Sequence, residues 1–180
     1  DGLDKKFLAK NYKSDATHDF YIAFFECGIN ETKMDGCLSY IAPTSIQTGV
    51  SFRNSRKVIL SSCRVNQIIN LPYDIFGEAY IDTSLCLLQK EKSFCDESDE
   101  FIEDDVLVYE FEKRAKAKEA LSENLDFFVV RSSNWVQDEE LRFITDSNLI
   151  AIRKIIADAK TLSLSERTKS TRGILANSED

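Results

Sequence analysis

The chain has 180 residues, of which 43% are hydrophobic and 30% charged, a composition that excludes a disordered or fibrous protein and allows one domain with a core. Its 31 acidic residues outnumber 23 basic ones, and the formal net charge of -8 argues against a free-standing nucleic-acid binder, because phosphate contacts need Lys and Arg. No apolar run approaches the roughly 18 residues of a membrane span, so no contact with a membrane is expected.

The first predicted elements are a helix, a turn and a strand. Residues 19–30 space their apolar side chains by threes and fours, which predicts a helix with Asp19 as its N-cap. Residues 34–36, Met-Asp-Gly, are typical of a turn. The short apolar run that follows ends at Pro43 and predicts a buried strand.

A helix and two further strands are predicted next. Residues 52–62 again carry the helical spacing, and the strand after them ends at Pro72. Residues 73–81 are predicted to form a loop or short turn before a third strand at 82–90. This order of strand, helix, strand and return predicts an open α/β sheet. Because the third strand follows the second by a short connection, we expect an antiparallel edge strand on a mostly parallel sheet.

The second half of the chain carries weaker patterns. The acidic residues 91–105 predict a surface loop, 106–111 a further strand, 113–124 a short charged helix and 126–135 a strand and turn. The clearest helix of this half is predicted over 144–160. Its apolar face consists of Leu149, Ile152, Ile155 and Ile156.

The chain contains no complete catalytic or metal-binding motif. It has no glycine-rich phosphate loop, no nucleophile elbow and no His-Glu-x-x-His motif. His18 is the only histidine and has no cysteine at ligand spacing, so no metal site is expected. The cysteine count is odd and no Cys-x-x-Cys pair occurs, which predicts free thiols in a reducing cytoplasm. The cysteines are Cys27, Cys37, Cys63, Cys86 and Cys95.

Several short motifs follow one another over about residues 1–90. Their members are Tyr21, Phe24 and Glu26; Gly36 and Pro43; Arg53 and Arg56; Leu71, Pro72 and Phe76; and Asp82, Thr83 and Ser84. In this order they resemble the second half of an N6-adenine-specific DNA methyltransferase of bacterial restriction-modification systems. The resemblance is greatest to type I modification subunits and to fused restriction-methyltransferase polypeptides. It implies the C-terminal part of a Rossmann-like, S-adenosylmethionine-dependent methyltransferase sheet, followed by a helical connector.

The resemblance gives one residue of this chain a role in binding the base. Enzymes of this family flip adenine out of the duplex, and an aromatic residue in the loop before the last strand forms one face of the base pocket. Phe76 occupies the matching position and is therefore expected to stack on adenine. The alternative is that Phe76 is a core residue that closes the end of the sheet.

The tetrapeptide at 70–73, Asn-Leu-Pro-Tyr, is similar to the Asn/Asp-Pro-Pro-Tyr/Phe catalytic motif of the family. It lacks the first proline and follows the helix with Phe24 and Glu26 instead of preceding it, so we interpret it as the end of a strand. The resemblance then implies that the catalytic tetrapeptide and the cofactor-binding glycine turn precede Asp1. We therefore expect a piece of a longer protein, without a catalytic residue and inactive alone, whose parent uses S-adenosylmethionine and no metal.

The resemblance also predicts how the chain is divided and what it binds. Residues 1–143 are expected to form the C-terminal half of the methyltransferase domain, and 144–180 a helical connector and the start of a target-recognition region. In the full-length parent, Arg167, Lys169 and Arg172 are predicted to contact phosphates of double-stranded DNA.

Two further expectations concern the isolated chain. A sheet that is cut in the middle exposes a strand edge, so we expect the fragment to self-associate through that edge. The alternative function is a non-catalytic α/β protein-interaction scaffold, which uses the acidic loop at 96–105 and the helix at 144–160.

Overall fold

The computed structural model describes residues 2–72, 75–76, 81–91, 104–111 and 127–159. The chain divides into two compact units, 1–147 and 148–180. None of the described helices has both the length and the apolar character that a membrane crossing requires.

The first unit contains both helices and strands. Its helices are α1 (Gly2–Asn11), α2 (Phe20–Glu31), α3 (Ser45–Thr48), α4 (Arg53–Ser62) and α5 (Ser133–Val136), with a 3-10 turn at Val50–Phe52. Its strands are β1 (Cys37–Pro43), β2 (Cys63–Asn70), β3 (Thr83–Lys90), β4 (Asp105–Glu110) and β5 (Phe127–Arg131). Helix α6 (Ser147–Asp158) begins at the last residue of this unit and continues into the second.

Most elements lie where the sequence predicts them. Helix α2 follows Asp19, which has the extended backbone of an N-cap residue, and α4 begins one residue after the predicted start. The helix predicted over 144–160 is confirmed as α6, with a later start. Helix α1 was not predicted. The charged helix predicted at 113–124 and most of the acidic loop predicted at 91–105 lie outside the described residues.

The five strands form one sheet in the order β1-β3-β2-β4-β5, which confirms the α/β class. The sheet is mixed and not mostly parallel as predicted, because among the described strands only β2 and β4 are parallel neighbours and the other three pairs are antiparallel. The third strand is antiparallel as predicted, but its predicted edge position is wrong, because β3 pairs with β1 on one side and β2 on the other. The antiparallel edge strand is β5.

One face of the sheet is covered by helices. Helices α2 and α4 pack on this covered face, where the Phe25 ring lies 4.9 Å from the Tyr40 ring. A Cβ atom at Gly28 would lie 2.9 Å from the Tyr40 ring, so glycine lets α2 approach β1 closely. The central row of the covered face consists of Tyr40, Cys86, Ile68, Val108 and Phe128.

On the opposite side of the sheet, two rows of side chains run across the strands. We call the surface formed by these ten residues the outer face. The first row consists of Ile41, Leu85, Ile69, Tyr109 and Phe127, and the second of Ser39, Leu87, Gln67, Leu107 and Val129. Each of these side chains is half-buried or exposed, whereas Ile68 and Val108 on the covered face are fully buried.

Candidate functional site

The carboxyl ends of β1, β2 and β4 meet at one edge of the sheet and border a cavity of about 490 Å³. The cavity is lined by Thr44, Asn70, Leu71, Pro72, Asp82, Glu110 and Phe111. Ligands of open α/β sheets bind outside the carboxyl ends of the strands, where the chain leaves the sheet and side chains from several strands converge. This cavity is therefore the candidate functional site.

Asn70, the last residue of β2, is the centre of a polar network beside the cavity. Its side-chain oxygen accepts a hydrogen bond of 2.9 Å from Nε2 of Gln47, which is itself buried. Its amide nitrogen lies 3.3 Å from Oε1 of Glu110 and 3.5 Å from Oγ1 of Thr145. One carboxamide thus joins the segment after β1, the ends of β2 and β4, and the segment after α5.

The segment after α5 is anchored in the core of the same unit. The indole of Trp135 is fully buried, donates from Nε1 to the carbonyl of Ile144 at 3.0 Å, and stacks on Phe143 with ring centres 4.6 Å apart. The N–H of Phe143 donates to the carbonyl of Gln47 at 2.8 Å. This segment therefore fixes the backbone of the residue that binds Asn70.

The two arginines of the sequence motif hold backbone carbonyls. Arg53 donates from Nε to the carbonyl of Glu139 at 2.7 Å. Arg56 is fully buried and donates to the carbonyls of Ile46, Gly49 and Glu140 at 2.8 to 2.9 Å. Burial lowers the pKa of the Arg56 guanidinium from its usual value. Both side chains thus stabilise the segments around the site and do not line the cavity.

Glu26, in the aromatic-rich motif, also has an architectural role. Its buried carboxylate accepts hydrogen bonds from the backbone N–H groups of Lys13 at 2.9 Å and Ser14 at 2.8 Å, which fixes the loop between α1 and α2. The Tyr21 hydroxyl lies 3.4 Å from Oγ of Ser45, and burial raises the pKa of Tyr21 from its usual value. Tyr21 thus tethers α2 to the first residue of α3.

Phe76 lies after the carboxyl end of β2, and 43% of its surface is exposed. Phe76 is therefore not buried in the core that the described residues form, and its predicted stacking on a base stays a prediction. The chain before it is held in place, because the N–H of Leu71 donates to the carbonyl of Thr83 at 2.9 Å and the N–H of Ile75 to that of Pro72 at 3.3 Å. The structure brings Leu71 and Pro72 into the cavity lining, and Phe76 follows them at the same end of the sheet.

The motif Asp82-Thr83-Ser84 joins β3 to the ends of its two neighbouring strands. The carbonyl of Asp82 accepts a hydrogen bond of 2.9 Å from the N–H of Thr44, and the carbonyl of Thr83 binds Leu71. The backbone of this motif thus ties the ends of β1 and β2 to the start of β3, and the exposed residue Asp82 is part of the cavity lining.

S-adenosylmethionine, the cofactor implied by the resemblance, does not fit the described residues. A glycine cradle needs backbone that is open to the ligand. A Cβ atom at Gly28, Gly36 or Gly49 would instead lie within 3.0 Å of atoms of this chain, so each glycine serves internal packing. No step is therefore assigned to the cofactor in this chain.

The remaining predicted site residues are three basic residues near the end of the chain. Arg167, Lys169 and Arg172 lie outside the described residues, so their contact with DNA stays a prediction. Among the described residues, no group of three or more His, Cys, Asp or Glu side chains is close enough to hold a metal ion.

The polar network around Asn70 was not found from the sequence. Asn70 was assigned only to a strand end, and Gln47 and Glu110 were not singled out. The available signal was that Asn70 and Glu110 stand at the ends of two strands that run the same way, which places them at the same edge of the sheet.

Comparisons with known proteins agree with the motifs. Residues 1–76 match the family model of the Eco57I restriction-modification methylase. A protein of Methanocaldococcus jannaschii that is named as a type II restriction enzyme and methyltransferase is 31% identical over 163 residues. The match covers 88% of this chain and 13% of that protein. These two findings confirm the predicted resemblance to restriction-modification methyltransferases.

Two solved structures are similar to parts of the chain. The M protein of the type I restriction enzyme EcoKI has 21% sequence identity and a TM-score of 0.46, over 58% of this chain and 23% of that chain. A modification subunit of a type I restriction enzyme from Vibrio vulnificus has 14% identity and a TM-score of 0.49, over 74% of this chain and 33% of that chain. The chain thus spans a minor part of each protein that it matches.

Proposed function

Because residues 1–76 carry the sequence of a restriction-modification methylase, we propose that this chain is part of a DNA methyltransferase that acts on N6 of adenine. The parent protein binds double-stranded DNA and takes the methyl group from S-adenosylmethionine, without a metal ion. The catalytic tetrapeptide and the cofactor site belong to the remainder of the parent. The 180-residue chain supplies part of the base pocket and is inactive alone.

The observation that carries this proposal is the exposure of Phe76, four residues after Pro72, which lines the cavity at the carboxyl end of the sheet. A base that is flipped out of the duplex loses its stacking partners, and an aromatic ring replaces them. Such stacking contributes roughly 1–3 kcal/mol per base. An exposed aromatic residue is free to make that contact, which a ring in the core is not.

The residues around Phe76 position it for this role. The hydrogen bond from Leu71 to Thr83 and the packing of Pro72 fix the path of the chain as it leaves β2. Proline also limits the conformations available to the backbone before the loop. A ring that is presented from a fixed strand end loses less conformational entropy on binding than one on a free loop.

The test compares variants of Phe76 in the full-length parent. Methylation is measured as N6-methyladenine released from DNA digests after incubation with S-adenosylmethionine. We expect Phe76→Ala to lower the methylation rate by about 5- to 150-fold, the equivalent of one lost stacking contact. Phe76→Trp should recover most of the rate, because it restores an aromatic face.

Phe7→Ala is the matched control, since Phe7 is also an exposed phenylalanine, on α1. It should leave the rate within about twofold, as surface substitutions do. If Phe76→Ala methylates DNA as fast as the unaltered parent, the base-stacking role is wrong, and the interaction scaffold becomes the better account of this chain.

We also propose that the isolated chain self-associates through β1. Among the described strands, only β3 pairs with β1, so one edge of β1 has no described partner strand. Ile41 on this strand is 50% exposed. Light scattering of the isolated chain should give a dimer or larger species. Ile41→Lys should shift it toward monomer, because a charge on an edge strand opposes pairing. A monomer without this change contradicts the proposal.

A further inference from the structure

Helix α1 and the residues just after it carry a basic surface in a chain that is acidic overall. Residues 1–13 contain four lysines and two aspartates, whereas the formal net charge of the whole chain is -8. Three of these lysines, Lys6, Lys10 and Lys13, are exposed, and we call them the basic strip. Because its charge is opposite in sign to the net charge, a general excess of lysine does not explain it.

The strip lies on the side of α1 that faces away from the rest of the unit. Leu8 is buried, so it marks the side of α1 that packs on the chain. Lys6 and Lys10 stand two residues before and two residues after it, and each therefore lies about 160° around the helix from Leu8. Both lysines thus share one exposed face, and Lys13 follows just beyond the end of the helix.

The acidic residue of α1 lies on another side of the helix. Asp4 lines, together with Leu8, a groove of about 460 Å³ between α1 and residues 16–20. Among the described residues, no carboxylate forms an ion pair with the ammonium group of Lys6, Lys10 or Lys13. The positive charge of the strip is therefore not neutralised by the part of the chain that the structure describes.

The C-terminal end of α1 is fixed to the part of the unit that borders the cavity. The buried carboxylate of Glu26 binds the backbone N–H groups of Lys13 and Ser14. The carboxylate of Asp15 accepts hydrogen bonds from the N–H of Ser55 at 2.9 Å and from its hydroxyl at 3.0 Å. Ser55 lies in the first turn of α4, which follows the carboxyl end of β1. The strip is thus attached on the side of the sheet where the candidate site lies.

This placement favours DNA phosphates as the partner of the strip. A base that enters a pocket at the carboxyl end of the sheet brings its flanking phosphates to the same side. Lys6 and Lys10 are one helical turn apart, with Cβ atoms about 5–6 Å from each other. A strand of B-DNA carries one phosphate per roughly 3.4 Å of its axis, so both ammonium groups can reach phosphates of one strand.

We propose that the basic strip binds the phosphate backbone of double-stranded DNA beside the flipped base. The inference rests on the proposed function and names a surface that holds its DNA substrate. Lysine contacts of this kind fix the position of a protein on the duplex without reading the sequence. Phe7, the neighbour of Lys6, has no donor for a phosphate and is not part of the strip.

The salt dependence of DNA binding tests the strip, because it counts phosphate contacts. Fluorescence anisotropy is measured with the full-length parent and a labelled duplex pool of random sequence over a range of NaCl concentrations. Replacing Lys6 and Lys10 together by alanine should lower the slope of log affinity against log salt by about 2, one for each lost contact. Lys6→Arg combined with Lys10→Arg should keep the slope, because arginine also binds phosphate.

Lys33→Ala combined with Lys57→Ala is the matched control, since it removes the same charge from two exposed lysines. Lys33 precedes β1 and lies at the opposite end of the sheet, and Lys57 lies on α4. This pair should leave the slope unchanged. An unchanged slope in the alanine variant of α1, or an equal decrease in both pairs, would overturn the inference.

The methylation assay on the same preparations separates this inference from the proposed function. A parent whose slope falls as expected but which forms no N6-methyladenine keeps the basic strip and refutes the proposed function. A parent that methylates adenine while the alanine variant of α1 binds DNA with the unaltered slope keeps the proposed function and refutes the strip.

Discussion

Ile68 and Ile69 are neighbours in β2, yet their surroundings differ. Ile68 lies on the covered face and is fully buried, whereas Ile69 lies on the outer face and is half-buried. Both belong to rows that are apolar across the sheet. The two faces therefore have similar composition but differ in how deeply their side chains are buried. An apolar strand pattern thus does not by itself tell which face of the strand lies in the core.

The largest expected effect on stability comes from the buried residue of this pair. Ile68→Ala should lower the free energy of unfolding of the isolated chain by about 2–5 kcal/mol, because it leaves a cavity in a closed core. Ile69→Ala should lower it by about 1 kcal/mol, since only part of the removed surface is buried. Urea unfolding followed by circular dichroism measures both values.

The destabilisation by the same two variants can also be measured in the full-length parent. If the remainder of the parent buries the outer face, the effect of Ile69→Ala should rise there toward that of Ile68→Ala. The denaturant dependence of each variant should match that of the unaltered protein, which excludes a change in the denatured state. Equal destabilisation by the two variants in the isolated chain contradicts the assignment of the two faces.

The elements of the fold were predictable where local pattern decides them. The helical spacing around Phe24 and the apolar runs that end at Pro43 and Pro72 are properties of neighbouring residues, and α2, β1 and β2 follow them. The position of β3 was not predictable in this way. A short connection places β3 beside β2, but it contains no information about the other edge of β3, which β1 occupies.

The candidate site shows the same division between local and distant information. Phe76, which is exposed, follows a strand end that the sequence marks with proline. The partners of Asn70 are not marked, because Gln47, Glu110 and Thr145 lie 23, 40 and 75 residues away in the chain. Only the order of strands and the packing of the segment after α5 bring them together.

A further pair of variants extends the comparison to the polar residues of β2. Asn70→Ala should lower the free energy of unfolding by about 1–3 kcal/mol, because it leaves the buried amide of Gln47 without its acceptor. Asn66→Ala, in the same strand, is the matched control. Asn66 makes a longer hydrogen bond, 3.4 Å to Gln89, at the irregularity between Val65 and Gln67.

Asn66→Ala should therefore change the stability by less than about 0.5 kcal/mol, as surface substitutions do. Thermal unfolding of the two variants side by side measures the difference. A larger effect from Asn66→Ala than from Asn70→Ala would show that the network at the carboxyl end of β2 does not hold the site together. The expected result, a larger loss of stability from Asn70→Ala, would show that Asn70 holds together the elements around the cavity. Its partners lie in α3, at the end of β4 and in the segment after α5.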